Sequence, residues 1–259
     1  MELGLKGKRA LVTAASRVLG LACARALALE GAKVALGARN AGRLEPVTKE
    51  LAPHAETTAV EMDLSNEASI KTAVTAVSER WGGLDILIVN TPGPPSGPFL
   101  SLGRDAWKSA LDMVVIPVVD VLQAALPVMK RSGGRVLFIT TVGVKTVQPH
   151  MVLSNATRLA LIGIAKTLSV ELAESNILVN SLCPGPIDTD RMADLIRATS
   201  TQQNVSLKEA EAIWLDEVPL ARMGSAADFG RLAAVLVSDV ASYVTGAALA
   251  VDGGKARAY

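Results

Sequence analysis

The chain is poor in the side chains that most often move protons. Its 259 residues include two tyrosines, Tyr243 and Tyr259, and two histidines, His54 and His150. Two isolated cysteines, Cys23 and Cys183, form no C-x-x-C pair. They suit a reducing compartment and read as small buried hydrophobes rather than metal ligands, so no metal site is expected. Charge of one sign is also missing. Lys and Arg total 26 against 25 for Asp and Glu, a net charge of +1, which argues against a nucleic-acid partner held by electrostatics. No unbroken apolar run reaches the ~18 residues of a membrane span, and residues 1–8 show no signal-peptide core. A cytoplasmic protein without a membrane partner is expected.

What is present is apolar and periodic. Strand-length runs fall at residues 9–14, 33–37, 57–62, 84–90, 135–140, 177–183 and 247–251. The run Leu84-Asp85-Ile86-Leu87-Ile88-Val89-Asn90 is nearly all apolar, as a strand buried on both faces should be. Helix-period segments lie between the runs at 18–30, 42–51, 67–81, 105–130, 151–174 and 226–238. Such alternation implies right-handed crossovers: a Rossmann-type, doubly wound α/β fold with a seven-stranded parallel sheet covered on both faces. Pro117 should kink or break the 105–130 helix. There is no linker, repeat or low-complexity tract, so one domain is expected over residues 1–259. The polar stretch 188–219 follows the sixth strand, at the sheet edge where ligands of such folds bind. It reads as a substrate loop or lid, or as an ordered pair of surface helices.

The loop Thr13-Ala14-Ala15-Ser16-Arg17-Val18-Leu19-Gly20 joins the first strand to a helix. A phosphate-binding turn uses glycines to bring backbone and helix N-terminus close to a diphosphate. Here only Gly20 remains. Ala14 costs little unless its φ is positive, and the branched Val18 stands where backbone would meet phosphate. The second strand ends in Ala38-Arg39-Asn40, with no acidic residue to accept from a ribose 2′-hydroxyl. Arg39, with Arg17 from the first loop, would instead pair with a 2′-phosphate.

Further segments follow in order: Asp63-Leu64 after the third strand, Asn90-Thr91-Pro92-Gly93 after the fourth, Asn180 through Thr189 around the sixth, and Val251-Asp252-Gly253-Gly254 at the last. Together with the first loop they resemble the short-chain dehydrogenase/reductase family over essentially the whole chain. The likeness is nearest to its β-ketoacyl-carrier-protein-reductase-like members. The resemblance implies a small-molecule substrate and a homotetramer or homodimer. It also implies a dinucleotide contacted by Ala14, Ser16, Arg17, Leu19, Arg39, Asn40, Asp63, Leu64, Asn90, Thr91, Pro92, Arg158, Pro184, Gly185, Ile187 and Thr189. The arginines favour NADP(H) over NAD(H).

The same resemblance makes the catalytic positions atypical. The family uses an Asn, a Ser, and a Tyr-x-x-x-Lys pair. Anchored on Leu161-Ile162-Gly163, Arg158 takes the Lys position and Ser154 the Tyr position. Thr141 takes the Ser position, and Val114 that of the Asn. Independently of any alignment, Tyr243 is followed four residues later by Ala247, so the chain holds no Tyr-x-x-x-Lys. Ser154 is a far weaker acid than a tyrosine. Arg158 keeps the charge and stays protonated. His150 is the further titratable candidate, although a surface or cap role is more usual for a lone histidine. Asp188 and Asp190 read as loop-stabilising acceptors. Three functions follow: an NADP(H)-dependent oxidoreductase with its own proton chemistry, a catalytically silent nucleotide-binding homologue, or an assembly subunit without cofactor.

Overall fold

The structure, a computed structural model, describes residues 2–257; Tyr259 lies outside the described residues. Seven strands form one sheet: β1 (Arg9–Val12), β2 (Lys33–Ala38), β3 (Thr57–Glu61), β4 (Ile86–Val89), β5 (Gly134–Ile139), β6 (Ile177–Pro184) and β7 (Ala248–Val251). Every pairing is parallel and the order is β3-β2-β1-β4-β5-β6-β7. The winding reverses between β1 and β4, where Leu11 pairs with Leu87, so a crevice opens beyond the carboxyl ends of these two strands.

Side chains alternate between the two faces with period two. Ala10, Val12, Leu36, Ile88 and Leu137 enter one core, with Cys23, Leu27 and Phe229 from the covering helices. Leu11, Leu87, Val89, Val136 and Phe138 enter the other, with Val74, Val118 and Leu161. The first layer contains α1 (Val18–Leu29), α2 (Glu45–Leu51) and α9 (Ala226–Leu236). The second contains α3 (Glu67–Trp81), α4 (Arg104–Val114), α5 (Ile116–Met129) and α6 (Val152–Glu171).

Local chemistry sets the helix ends. Asn66 caps α3 by accepting from the Ser69 amide, and Gly82 ends it at φ 73°. The 105–130 pattern breaks at Val115, two residues before Pro117, as the proline requires. Residues 104–129 taken together are long and apolar enough to cross a membrane by length and composition. Core helices meet the same criterion, and Val118, Val121, Leu122, Ala125 and Met129 of α5 are buried in the second core. The stretch 188–219 forms two ordered helices, α7 (Asp190–Gln203) and α8 (Leu207–Leu215). Their starts were readable: Thr189 caps α7, and Ser206 with Glu209 makes a capping box on α8.

Candidate active site

A cleft of about 380 Å³ opens at the carboxyl edge of β1, β4, β5 and β6, within the size range of small-ligand sites. Its floor and walls include Arg17, Leu19, Asn90, Thr91, Pro92, Thr141, Ser154, Arg158, Pro184, Gly185, Ile187 and Thr189, all anticipated from the sequence. The remaining anticipated residues, Ala14, Ser16, Arg39, Asn40, Asp63 and Leu64, do not line it. They follow the same sheet edge at the ends of β1, β2 and β3, where Ser16, Arg39 and Asn40 are exposed.

The first loop is built by hydrogen bonds rather than glycines. The Thr13 hydroxyl donates to the Asn90 carbonyl at 2.6 Å and accepts from the Asn90 amide at 2.8 Å. Asn90 Nδ2 donates to the Ala14 carbonyl at 3.4 Å. Ala14 itself sits at φ 45°, in the left-handed region. The condition under which this Gly-to-Ala replacement carries a cost is therefore met: the residue is strained. Gly20 is the glycine the geometry cannot replace, since a Cβ there would lie 2.7 Å from the Ala14 carbonyl oxygen.

This loop is fit to hold a diphosphate. Arg17 precedes α1 in an extended conformation with no side-chain cap, and no acidic residue lies in the first turn. The leading amides of α1 thus have no intrahelical partner and open on the cleft through Val18 and Leu19. Val18 lines the cleft, so its side chain narrows the approach without closing it. Asp63 is held below the usual carboxylate range by the amide and hydroxyl of Ser65 and more weakly by the charge of Arg39.

Ser154 and Arg158 lie one turn apart on α6 and both are buried at the cleft. Arg158 Nη1 donates to the Thr91 hydroxyl at 2.8 Å and the Ile139 carbonyl at 3.1 Å. Nη2 donates to the carbonyls of Thr91 at 3.1 Å and Pro92 at 3.0 Å. The guanidinium thus ties α6 to β5 and to the loop after β4. Four of its five N–H groups are thus spent on the protein, leaving one N–H for a dinucleotide or substrate contact. Burial, with Arg191 adding repulsion, pulls it down to about 10, still protonated at neutral pH.

Thr141 accepts from the Gly143 amide at 3.3 Å, which leaves its own proton free to be donated. Val114 is fully buried at the end of α4 and offers nothing polar. Thr189 accepts from the Met192 amide at 3.1 Å, so its hydroxyl starts α7 as well as lining the cleft. Of the other candidates, His150 is exposed and outside the cleft lining. Its backbone at φ 60° presents a carbonyl to the Gly97 amide at 2.7 Å, which pins the loop after β4. Asp190 lines the cleft, whereas Asp188 does not. Sequence reasoning missed Gln148, Met151, Arg191, Met192, Leu195 and Trp214. Arg191, Met192, Leu195 and Trp214 reach the cleft because α7 and α8 fold over it, whereas Gln148 and Met151 come from the segment leading into α6, and no motif marks any of them.

The sequence profile of the family described as Enoyl-(Acyl carrier protein) reductase matches residues 13–256. The Oxidoreductase UcpA of Salmonella typhimurium is 34% identical over 255 residues, covering 96% of this chain and 95% of that protein. The 3-oxoacyl-[acyl-carrier-protein] reductase FabG of Aquifex aeolicus is 33% identical over 257 residues, covering 98% and 99%. Among solved structures, L-sorbose reductase from Gluconobacter frateurii, complexed with NADPH and L-sorbose, superposes with a TM-score of 0.93. The identity there is 27%, with 100% of both chains covered.

Proposed function

Because the chain belongs to the short-chain dehydrogenase/reductase family, we propose that it is an NADP(H)-binding oxidoreductase for a small carbonyl or hydroxyl substrate, working without a tyrosine acid. The observation that carries this reading is the convergence of the uncapped α1 N-terminus with the Thr141 and Ser154 hydroxyls on one cleft. Bound NADPH supplies the hydride. The α1 amides would hold its diphosphate, and Arg39 with Arg17 its 2′-phosphate. The hydroxyls of Thr141 and Ser154 would donate to the substrate oxygen. The buried charge of Arg158 favours the negative charge that develops there, in a site of low dielectric. Water in the open cleft delivers the proton, since neither hydroxyl is acidic enough. Loss of a positioned general acid costs ~10²–10⁴ in rate, so turnover should be slow.

A second reading, a nucleotide-binding homologue without turnover, is favoured by one observation: the engagement of Arg158 with four protein acceptors. Fluorescence titration with NADPH and NADH, followed by NADPH oxidation against ketones, quinones and ketoacyl thioesters, separates the two. We expect micromolar NADPH affinity and slow turnover. Ser154→Ala should lower kcat/KM roughly ten-fold or more while leaving the NADPH Kd unchanged. Binding without turnover of any substrate would establish the second reading, and absence of binding would sink both.

The assembly we propose is a homo-oligomer. An apolar groove along α5 and α6 is lined by Leu122, Leu126, Ile164 and Leu168, and the same two helices also expose Ile116 and Leu159. Sedimentation showing a monomer at micromolar concentration would refute it.

A further inference from the structure

Arg158 is buried at the cleft, yet all four of its hydrogen bonds go to uncharged acceptors. Among the described residues no carboxylate lies within ion-pair distance of it. A second guanidinium faces it across the loop after β4. Arg191 Nη2 donates to the Pro94 carbonyl at 3.1 Å, while Arg158 Nη2 holds the Pro92 carbonyl at 3.0 Å. Those carbonyls are two residues apart, within about 7 Å of extended chain. Arg191 comes from α7, which covers the cleft, whereas Arg158 comes from α6 beneath it, so one opening is flanked by both.

The carboxylates nearest this opening do not neutralise the pair. Asp194 also lines the cleft, but it is taken by Arg197 at 2.5 Å. Asp190 is exposed at the start of α7 and makes no ion pair with either arginine. Arg158 is buried and Arg191 exposed at the mouth of the same cleft; the two like charges repel, and Arg191 is felt at Arg158. An anion placed between them would remove that repulsion and gain two charge-assisted contacts.

We propose that the substrate carries a carboxylate, held between Arg191 and the remaining N–H of Arg158, within a few bonds of the carbonyl that meets Ser154 and Thr141. The substrate class is thus a small oxo acid. The reduction breaks the carbonyl π bond: hydride from NADPH, which is oxidised to NADP+, forms the C–H bond, a proton from water, which leaves as hydroxide, forms the O–H bond, and the carboxylate is unchanged. This inference rests on the oxidoreductase reading for its reaction, but the anion site itself does not depend on a cofactor.

The test therefore has two arms. In the first, pyruvate and acetoacetate, each beside its methyl ester, are titrated by calorimetry into the protein without nucleotide. The acids should bind roughly ten-fold or more tighter than the esters, and Arg191→Gln should abolish that difference. Equal binding of acid and ester, or a difference that survives Arg191→Gln, overturns the proposal. In the second arm the acids are titrated with NADPH at saturation. Additive binding supports the proposal. Competition with NADPH means the arginines serve the dinucleotide's own phosphates and also overturns it. A chain that binds the acids in the first arm but never binds NADPH keeps the anion site and loses the oxidoreductase reading.

Discussion

The Arg158 guanidinium donates to the Thr91 hydroxyl at 2.8 Å, so this buried cation of α6 is anchored to the loop that follows β4. Thr91 is itself buried. Thr91→Val keeps the shape and removes the acceptor, leaving an N–H of a buried cation unsatisfied. The expected loss is about 1.5–3 kcal/mol, read by urea unfolding. Arg158→Lys should cost more. One ammonium offers three donors from a single point and cannot span acceptors on β5 and on the loop after β4. A lysine variant as stable as the parent would refute the bracing role.

Arg39 and Arg17 are exposed at the ends of β2 and β1, and neither forms an ion pair among the described residues. Their free charge is what a 2′-phosphate would meet. Arg39→Ala should weaken NADPH roughly ten-fold or more and leave NADH nearly unchanged. The ratio of the two dissociation constants, measured by nicotinamide fluorescence, checks it. Equal weakening of both nucleotides would assign Arg39 to general attraction instead.

Most of the fold was legible because two periodicities are strong. β4 reads as a buried strand from its unbroken apolar run, and α3 carries both of its punctuation marks, Asn66 and Gly82. α7 was not legible from its polar, alanine-rich composition, although Thr189 and Ser206 marked the helix starts. At the site, Ser154, Arg158 and Thr141 were singled out by the family resemblance anchored on Leu161-Ile162-Gly163, and all three line the cleft. The partners of Arg158 were not legible. Besides the Thr91 hydroxyl they are backbone carbonyls, at Ile139, Thr91 and Pro92, and a carbonyl is the same in every sequence. For the same reason the sequence could only pose the condition on Ala14, whose φ is set by Thr13 and Asn90 across the crevice.

Arg9 and Asp85 join β1 to the chain entering β4. Arg9 Nε meets Oδ2 at 2.8 Å, and Nη2 meets Oδ1 at 2.5 Å. Burial pushes the Asp85 carboxyl upward, but hydrogen bonds from the Arg9 side chain and amide outweigh it and hold the group below the usual range. The unfolded chain therefore takes up this proton first as pH falls. The stabilisation is complete above pH ~4 and fades as pH drops through the lowered folded-state value. Asp85→Asn should lower stability at pH 7 by about 1–3 kcal/mol and flatten the acid limb of the stability curve below pH ~4. An unchanged acid limb would show that other carboxylates control acid unfolding.

Ala14 and Gly20 test the first loop from opposite directions. Ala14 holds φ 45°, a conformation that costs a residue with a Cβ roughly 1–2 kcal/mol. Glycine removes that strain but loses about 0.5–1 kcal/mol through the greater freedom of the unfolded chain. Ala14→Gly should therefore be neutral to slightly stabilising. Gly20→Ala puts a Cβ 2.7 Å from the Ala14 carbonyl oxygen and 3.1 Å from the Ala15 Cα, both backbone atoms that cannot rotate away. Relief requires α1 to move off the end of β1, and helix movement of that kind costs roughly 1–3 kcal/mol as overpacking. It also shifts the leading amides that would receive the diphosphate. Gly20→Ala should thus lose both stability and NADPH affinity, whereas Ala14→Gly should retain both. Denaturant unfolding and nucleotide titration on the two variants decide it. A Gly20→Ala protein that still binds NADPH at full strength would mean the diphosphate does not rest on α1.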